Sequence, residues 1–293
     1  MPELPDVLLY VEALNRRLAG EVLERLRLSS PFLLRSVEPP VSELEGRKVT
    51  RVSHLAKRLV FESEDELFCV IHLMIAGRFQ WRAAGAKLGS KSTLAGFDFA
   101  HGTLVLTEAG SKKRASLHVV RGRDGLAAHE RGGLDVMNAS RDEFVARLTE
   151  NRHTLKRALC DPKLFSGIGN AYSDEILHAA RLSPMQLTTN LDEAECTTLH
   201  AAVVSVLETW ITRLREQTGE DFPTKVTAFR PEMAVHGRYG QPCPDCEAPV
   251  QRIVYASNET NYCANCQTGG KLLADRALSR LLKSDWPRSL DEL

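Results

Sequence analysis

Residues 240–270 read GQPCPDCEAPVQRIVYASNETNYCANCQTGG, and four of the seven cysteines in the chain lie within them. Their spacing is Cys243-x2-Cys246-x16-Cys263-x2-Cys266. Two CxxC knuckles joined by a short hairpin bring four sulfurs within tetrahedral reach of one ion. IVYAS and NETNYC supply the two strands of that hairpin. The donor set predicts one structural Zn²⁺; a redox dithiol pair is the competing reading. With all four positions filled by thiolate, no position is left for a reactive water, so the ion is structural and not catalytic. The remaining cysteines, Cys69, Cys160 and Cys196, fall in an apolar run and in helical patterns and read as ordinary thiols.

Working back from the knuckles, the period is helical. DEFVARL, HTLKRALC, AYSDEILHAARL and a long stretch over 191–217 carry apolar residues on one face. Between the second and third of these lies SGIGN, residues 166–170. Glycines let a backbone approach a phosphate closely, and the free N–H groups of a helix start bind an anion. Asn170 there is placed to cap the helix or to donate to that phosphate. An ordinary connector between two helices fits the same residues. Further back, RLVFES, LFCVIHLM, GRFQWR, GFDFA and TLVLTEA are short and rich in β-branched or aromatic residues. They predict a β-sandwich or barrel, with the opening helix laid against it. HERGGLDVMNAS, within about 125–140, reads as a linker. The expected order is therefore an α+β chain with a β-sandwich domain over 1–135, a helical domain over 136–235, and a cysteine-bearing domain with a C-terminal helix over 236–293.

The totals narrow the class. At 293 residues with 43% hydrophobic and 26% charged, the chain can fill two cores and is neither a membrane protein nor a disordered one. No apolar run reaches a membrane span and no signal peptide opens the chain, so the expected location is the cytoplasm, with no membrane partner. Lys+Arg and Asp+Glu both number 38, so net charge argues neither for nor against nucleic acid.

The N-terminus, MPELPDVLL, allows two readings. Pro2 is a proline ahead of a helix whose face carries Val7, Val11, Leu14 and Leu18, where no N–H is needed. With Met1 removed, it is also a secondary amine, a nucleophile with the Glu3 carboxylate beside it.

PELPD, Lys57, SGIGNAYSDEIL and HGRYGQPCPDC…YCANCQ occur together and in order. In this the chain resembles the formamidopyrimidine-DNA glycosylase/endonuclease VIII family of base-excision repair enzymes over nearly its whole length. The resemblance implies an N-terminal β-sandwich with a flanking helix, a helix–two-turn–helix domain and a C-terminal four-cysteine zinc finger, with damaged DNA bound between the domains. It implies Pro2 as the nucleophile at C1′ of the damaged nucleotide and Glu3 as the proton donor to the sugar ring oxygen, with Asp6 in support. Lys57 is then the lysine on the phosphate next to the lesion, where a solvated strand lysine is the plain alternative. Lys156, Gly169 and Asn170 match phosphate contacts of the helical domain.

The chain departs from that family in places. Asn258 stands where the finger hairpin usually carries an arginine; Arg252 and Lys271 are the candidates to replace its charge. HLMIAG puts Ile75 where a methionine fills the gap left by the flipped nucleotide, with Met74 one step away. TEAGSKKRAS puts Lys112-Lys113-Arg114 in place of an arginine and aromatic pair, and PTKVTAFRPEM is short for a loop that caps an oxidised purine. The expected function is a monomeric glycosylase/AP lyase that removes oxidised bases through an iminium on Pro2 and cleaves by β/δ-elimination. Two alternatives stand beside it: the same chemistry on single-stranded or crosslinked DNA, and a non-catalytic damaged-DNA binder.

Overall fold

The computed structural model describes every residue except 225, 228, 256, 257, 275–279, 284–286 and 293. Part of the expected C-terminal helix lies outside the described residues. The chain divides into two compact units, Met1–Arg131 with Trp210–Thr227, and Gly132–Thr209 with Ala228–Leu293.

The first unit opens with helix α1, Leu4–Leu18, which buries Val7, Tyr10, Leu14 and Leu18 on one face. Its start is closed by a reciprocal pair: the Glu3 carboxylate accepts the Asp6 N–H, and Asp6 Oδ2 accepts the Glu3 N–H at 3.1 Å. Strands β1 (Arg25–Leu28), β2 (Val49–Leu55), β3 (Arg58–Ser63), β4 (Leu67–His72), β5 (Gly77–Arg82), β6 (Thr93–Phe99), β7 (Gly102–Glu108) and β8 (Ser116–Arg121) follow. They form two antiparallel four-stranded sheets, ordered β1-β6-β7-β5 and β2-β3-β4-β8. Alternate residues turn inward, so Leu59, Phe61, Cys69, Ile71 and Leu117 of one sheet share a core with Phe79, Phe97, Leu104 and Leu106 of the other. The α1 face completes that core; Tyr10 meets Phe79 edge-on at 5.7 Å and accepts its N–H.

Several strand expectations end differently in space. LFCVIHLM stops as a strand at His72, because Met74 has a left-handed backbone (φ 52°) and donates its N–H to His72 Nδ1 at 2.9 Å. Gly77 closes this turn, and a Cβ there would overlap the Leu73 carbonyl. Only glycine fits. The segment read as a linker, about 125–140, opens inside a helix and contains a two-residue strand at Leu134–Asp135. Helix α2 (Gly122–Ala127) lays Leu126 on Val60, Phe68 and Val70, covering the outer face of the second sheet. One large apolar residue in a six-residue helix is too little for periodicity to reveal.

In the second unit, two-residue strands β9 (Leu134–Asp135) and β10 (Phe165–Ser166) pair in parallel. Helices α3 (Arg141–Thr149), α4 (Leu155–Cys160), α5 (Asn170–Ala179) and α6 (Glu193–Thr218) carry the expected pattern, with α6 passing into the first unit at Trp210. Strands β11 (Gln251–Tyr255) and β12 (Asn258–Tyr262) form the finger hairpin, and the short helix α7 (Ala264–Thr268) follows. The hairpin and α7 pack on α5. Among the described residues, no helix is long and apolar enough to cross a membrane.

Candidate active site and nucleic-acid interface

In the first unit the functional groups gather at the chain start. Pro5, not Pro2, occupies the first turn of α1, where the missing N–H costs nothing. Pro2 lies ahead of the N-cap residue Glu3, and both are buried. The helix explains Pro5 and leaves Pro2 without a helical role. Burial lowers the pKa of the terminal amine on Met1; Glu3 and Asp6 oppose that shift, while Arg78 and Lys57 add to it. These four side chains therefore set the field at the N-terminus. An amine in that field is more readily neutral, the form that attacks carbon.

Lys57 is not a solvated strand lysine. It sits in the two-residue turn joining β2 to β3, after Ala56 at φ 53°, and is only 9% exposed. Ile75 is placed differently: it stands at the tip of the β4–β5 turn, 59% exposed, with its carbonyl held by Arg78. Lys112 and Arg114 are exposed on a loop whose base is fixed by the Glu108 carboxylate, which accepts the N–H groups of Arg114 and Ala115.

His72 and Arg78 escaped the sequence reading: Arg78 acts on the terminal amine, and that amine acts on His72. Burial pushes His72 down to about 4, helped by Arg58, Lys57, Arg131 and the terminal amine. Nearby, His118 and His129 meet edge-on at 4.7 Å and are lowered too, burial being the main cause. A histidine whose folded pKa is depressed contributes stability above its unfolded value of about 6.5, and that stability is lost as pH falls toward the folded value. His72→Asn keeps an acceptor for the Met74 N–H and removes the titration. Unfolding free energies from urea titrations should fall less for His72→Asn than for wild type between pH 7 and pH 4.5, by on the order of 2 kcal/mol. Equal losses would remove His72 from the acid response.

In the second unit, the SGIGN turn runs through Gly167 at φ 88°, a backbone that favours glycine. Gly169 is the N-cap residue of α5 and Asn170 its first helical residue. The Asn170 side chain does not cap the helix; it donates from Nδ2 to the Glu259 carbonyl of β12 at 2.8 Å. Lys156 is buried, and its ammonium donates to the Asn170 carbonyl (2.7 Å), Ser173 Oγ (2.8 Å) and Asp174 Oδ1 (2.5 Å). Three partners match its three donors, so Lys156 braces the start of α5 from within.

Asp174 and the next residue carry this bracing into the finger. Asp174 Oδ2 lies 2.7 Å from His236 Nδ1 and accepts the Asn261 N–H at 3.1 Å. Glu175 accepts three consecutive N–H groups, from Ala234, Val235 and His236, at 2.7–3.0 Å. Spacing gave no sign of these partners, which lie about sixty or more residues downstream. Asp174→Ala leaves the buried Lys156 and His236 without their carboxylate and should cost about 3–5 kcal/mol in chemical denaturation. A loss below about 1 kcal/mol would mean that water satisfies the network.

The four finger cysteines converge. Cys243 and Cys266 sulfurs are 3.9 Å apart and Cys246 and Cys263 sulfurs 3.4 Å, close to the about 3.8 Å that tetrahedral thiolates at zinc require. Burial, ahead of the neighbouring thiols, pushes Cys263 up to about 11. A divalent cation is what lets four such crowded sulfurs hold thiolate charge together. Asn258 is exposed at the start of β12 opposite Tyr255. Arg252 pairs with Glu259 at 3.2 Å and lies over the Tyr239 ring at 4.2 Å, while Lys271 is exposed.

Comparison with known proteins agrees with this arrangement part by part. Residues 1–120 match the formamidopyrimidine-DNA glycosylase N-terminal domain, residues 135–220 its H2TH domain, and residues 240–269 the zinc finger found in FPG and IleRS. A formamidopyrimidine-DNA glycosylase of Desulforamulus reducens is 30% identical over 91% of this chain and 99% of its own. An uncharacterized formamidopyrimidine-DNA glycosylase-like protein of Mycobacterium tuberculosis is 42% identical over 151 residues, covering 52% of this chain and 94% of its own. Among solved structures, a complex of wild-type Lactococcus lactis FPG (MutM) with DNA containing an oxidised pyrimidine superposes with a TM-score of 0.81. That match has 26% identity and covers 91% of this chain and 100% of that one. A sandwich with its charged groups at the N-terminus, a glycine-turn helix pair and a four-cysteine finger together make the architecture of a zinc-finger DNA glycosylase. The chain belongs to the formamidopyrimidine-DNA glycosylase family.

Proposed function

We propose that the protein is a bifunctional DNA glycosylase and AP lyase whose nucleophile is the Pro2 amine, freed by removal of Met1. The observation that carries this reading is the seat of the N-terminus. Pro5 supplies the helix-start proline, and Glu3, Asp6, Lys57 and Arg78 all act on the terminal amine of Met1, one residue from Pro2, whose protonation burial disfavours.

The Pro2 nitrogen attacks C1′ and gives up its proton to the departing base, as the glycosidic bond breaks with its electron pair leaving on that base. Glu3 protonates the ring oxygen, the sugar opens, and the nitrogen lone pair completes a cationic iminium. That cation acidifies the 2′ hydrogen; its loss expels the 3′ phosphate, and a second elimination expels the 5′ phosphate. Lys57 holds the phosphate next to the lesion. Gly169 and Asn170, at the N-terminus of α5, hold another, with Lys156 bracing that helix from below. Ile75 enters the gap left by the flipped nucleotide, and Asn258 contacts the strand without adding charge. One structural zinc, held by Cys243, Cys246, Cys263 and Cys266, fixes the finger. The protein acts as a monomer.

A lesion preference for single-stranded or crosslinked DNA is the second reading, favoured by the uncharged Asn258 and the basic Lys112–Arg114 loop. A panel of damaged oligonucleotides, single- and double-stranded, tests both, with the mature N-terminus confirmed by mass spectrometry. Strand cleavage at oxidised bases in duplex is expected. Cleavage confined to single strands would select the second reading, and tight abasic-site binding without cleavage would leave only a damaged-DNA binder.

A further inference from the structure

Helix α5 sends a fourth side chain into the finger that neither the cysteine pattern nor the family resemblance assigns. His178, one turn beyond Asp174, is 4% exposed, and its Nε2 lies 3.3 Å from Cys243 Sγ. The same nitrogen is 4.0 Å from Asp245 Oδ2, outside hydrogen-bond reach. His178, Asp245 and Cys266 also offer ligand atoms within 4.8 Å of one another, so the imidazole stands at the edge of the metal site itself.

The chemistry of Cys243 decides what Nε2 carries. A zinc-bound thiolate is an acceptor only, and an imidazole lone pair aimed at it would be repelled. The contact is favourable with hydrogen on Nε2 and the lone pair on Nδ1. We infer that His178 is a positioning residue of the zinc site: its Nε2–H donates to the Cys243 thiolate and ties the metal to the helix whose first turn carries Asn170. The inference rests on the structural-zinc reading above. The donated hydrogen bond draws charge from the sulfur and holds the first knuckle against α5. Asp174, Glu175 and His178 thus grip the finger at three places: the β12 strand, the loop at 234–236, and the zinc ligand itself.

The test is zinc retention by the full-length protein under chelator competition. His178→Phe keeps a ring of similar size and removes the donor, and it should weaken zinc by about 10–100-fold. His178→Gln restores a donor and should recover most of that loss. After cobalt substitution, the thiolate-to-metal charge-transfer band should move to lower energy in His178→Phe and stay in place in His178→Gln; lost packing alone would not move it. Zinc held by His178→Phe within about twofold of wild type, with the band unmoved, overturns the inference. On the wild-type protein, a long-range ¹H–¹⁵N spectrum should show the Nε2–H tautomer of His178; the Nδ1–H tautomer overturns it even if the variants fail to fold. Wild-type protein without stoichiometric zinc would instead sink the structural-zinc reading.

Discussion

Borohydride should crosslink this protein to an abasic-site oligonucleotide once Met1 has been removed, and the adduct should map to Pro2. An iminium is reduced to a stable amine, so the crosslink records the intermediate directly. The form that retains Met1 should give no adduct on Pro2, because an acylated nitrogen has no free lone pair. Pro2→Gly should crosslink far less, since a flexible primary amine replaces a buried ring nitrogen. Glu3→Gln keeps the shape of the N-cap but cannot protonate the ring oxygen, so base release should fall by about 10²–10⁴-fold. An adduct on Lys57, the other amine set in this field, would overturn the mechanism, as would equal trapping with Met1 in place.

Removing zinc should abolish DNA binding while the β-sandwich stays folded. Binding of structural zinc contributes about 10–16 kcal/mol in finger peptides, so chelation releases the knuckles. Their loss reaches α5, because the Asp174 and Glu175 bonds and the Asn170–Glu259 bond all end on the finger or the loop leading into it. Affinity for an abasic-site duplex should therefore drop by about 100-fold or more on chelation or in Cys263→Ser. Hydrogen exchange should show protection kept in β3 and β4 and lost in β11 and β12. Cys263→Ser protein that binds DNA like wild type would show that the finger is dispensable for grip.

Much of this architecture is readable from residue order, where the signal is local. Cysteine spacing, the glycine turn before Asn170 and the apolar face of α1 each lie within a few residues, and each forms the expected element. What escaped depends on distance. β1 reads RLRL, and its arginines hide the strand until Arg27 pairs with Asp98 across the sheet at 2.6 Å. Pro2 and Pro5 look alike in sequence, and only the helix boundary tells them apart. Lys156 matches a phosphate contact in the sequence, and nothing in its order announces the bonds its ammonium makes to Asp174 and Ser173. Glu175 gives no hint of the three amides it collects, since those belong to a loop that begins 59 residues later.

The four side chains that α5 lends to the finger also bear on how such proteins can be recombined. A finger transplanted from a relative would arrive without Asn170, Asp174, Glu175 and His178, and its loop and knuckle would meet a foreign helix. The heritable unit is therefore the helix and the finger together, although more than sixty residues of unrelated sequence separate them along the chain. Chimeras cut between them should be poorly assembled, whereas chimeras that exchange both should keep their metal and their shape.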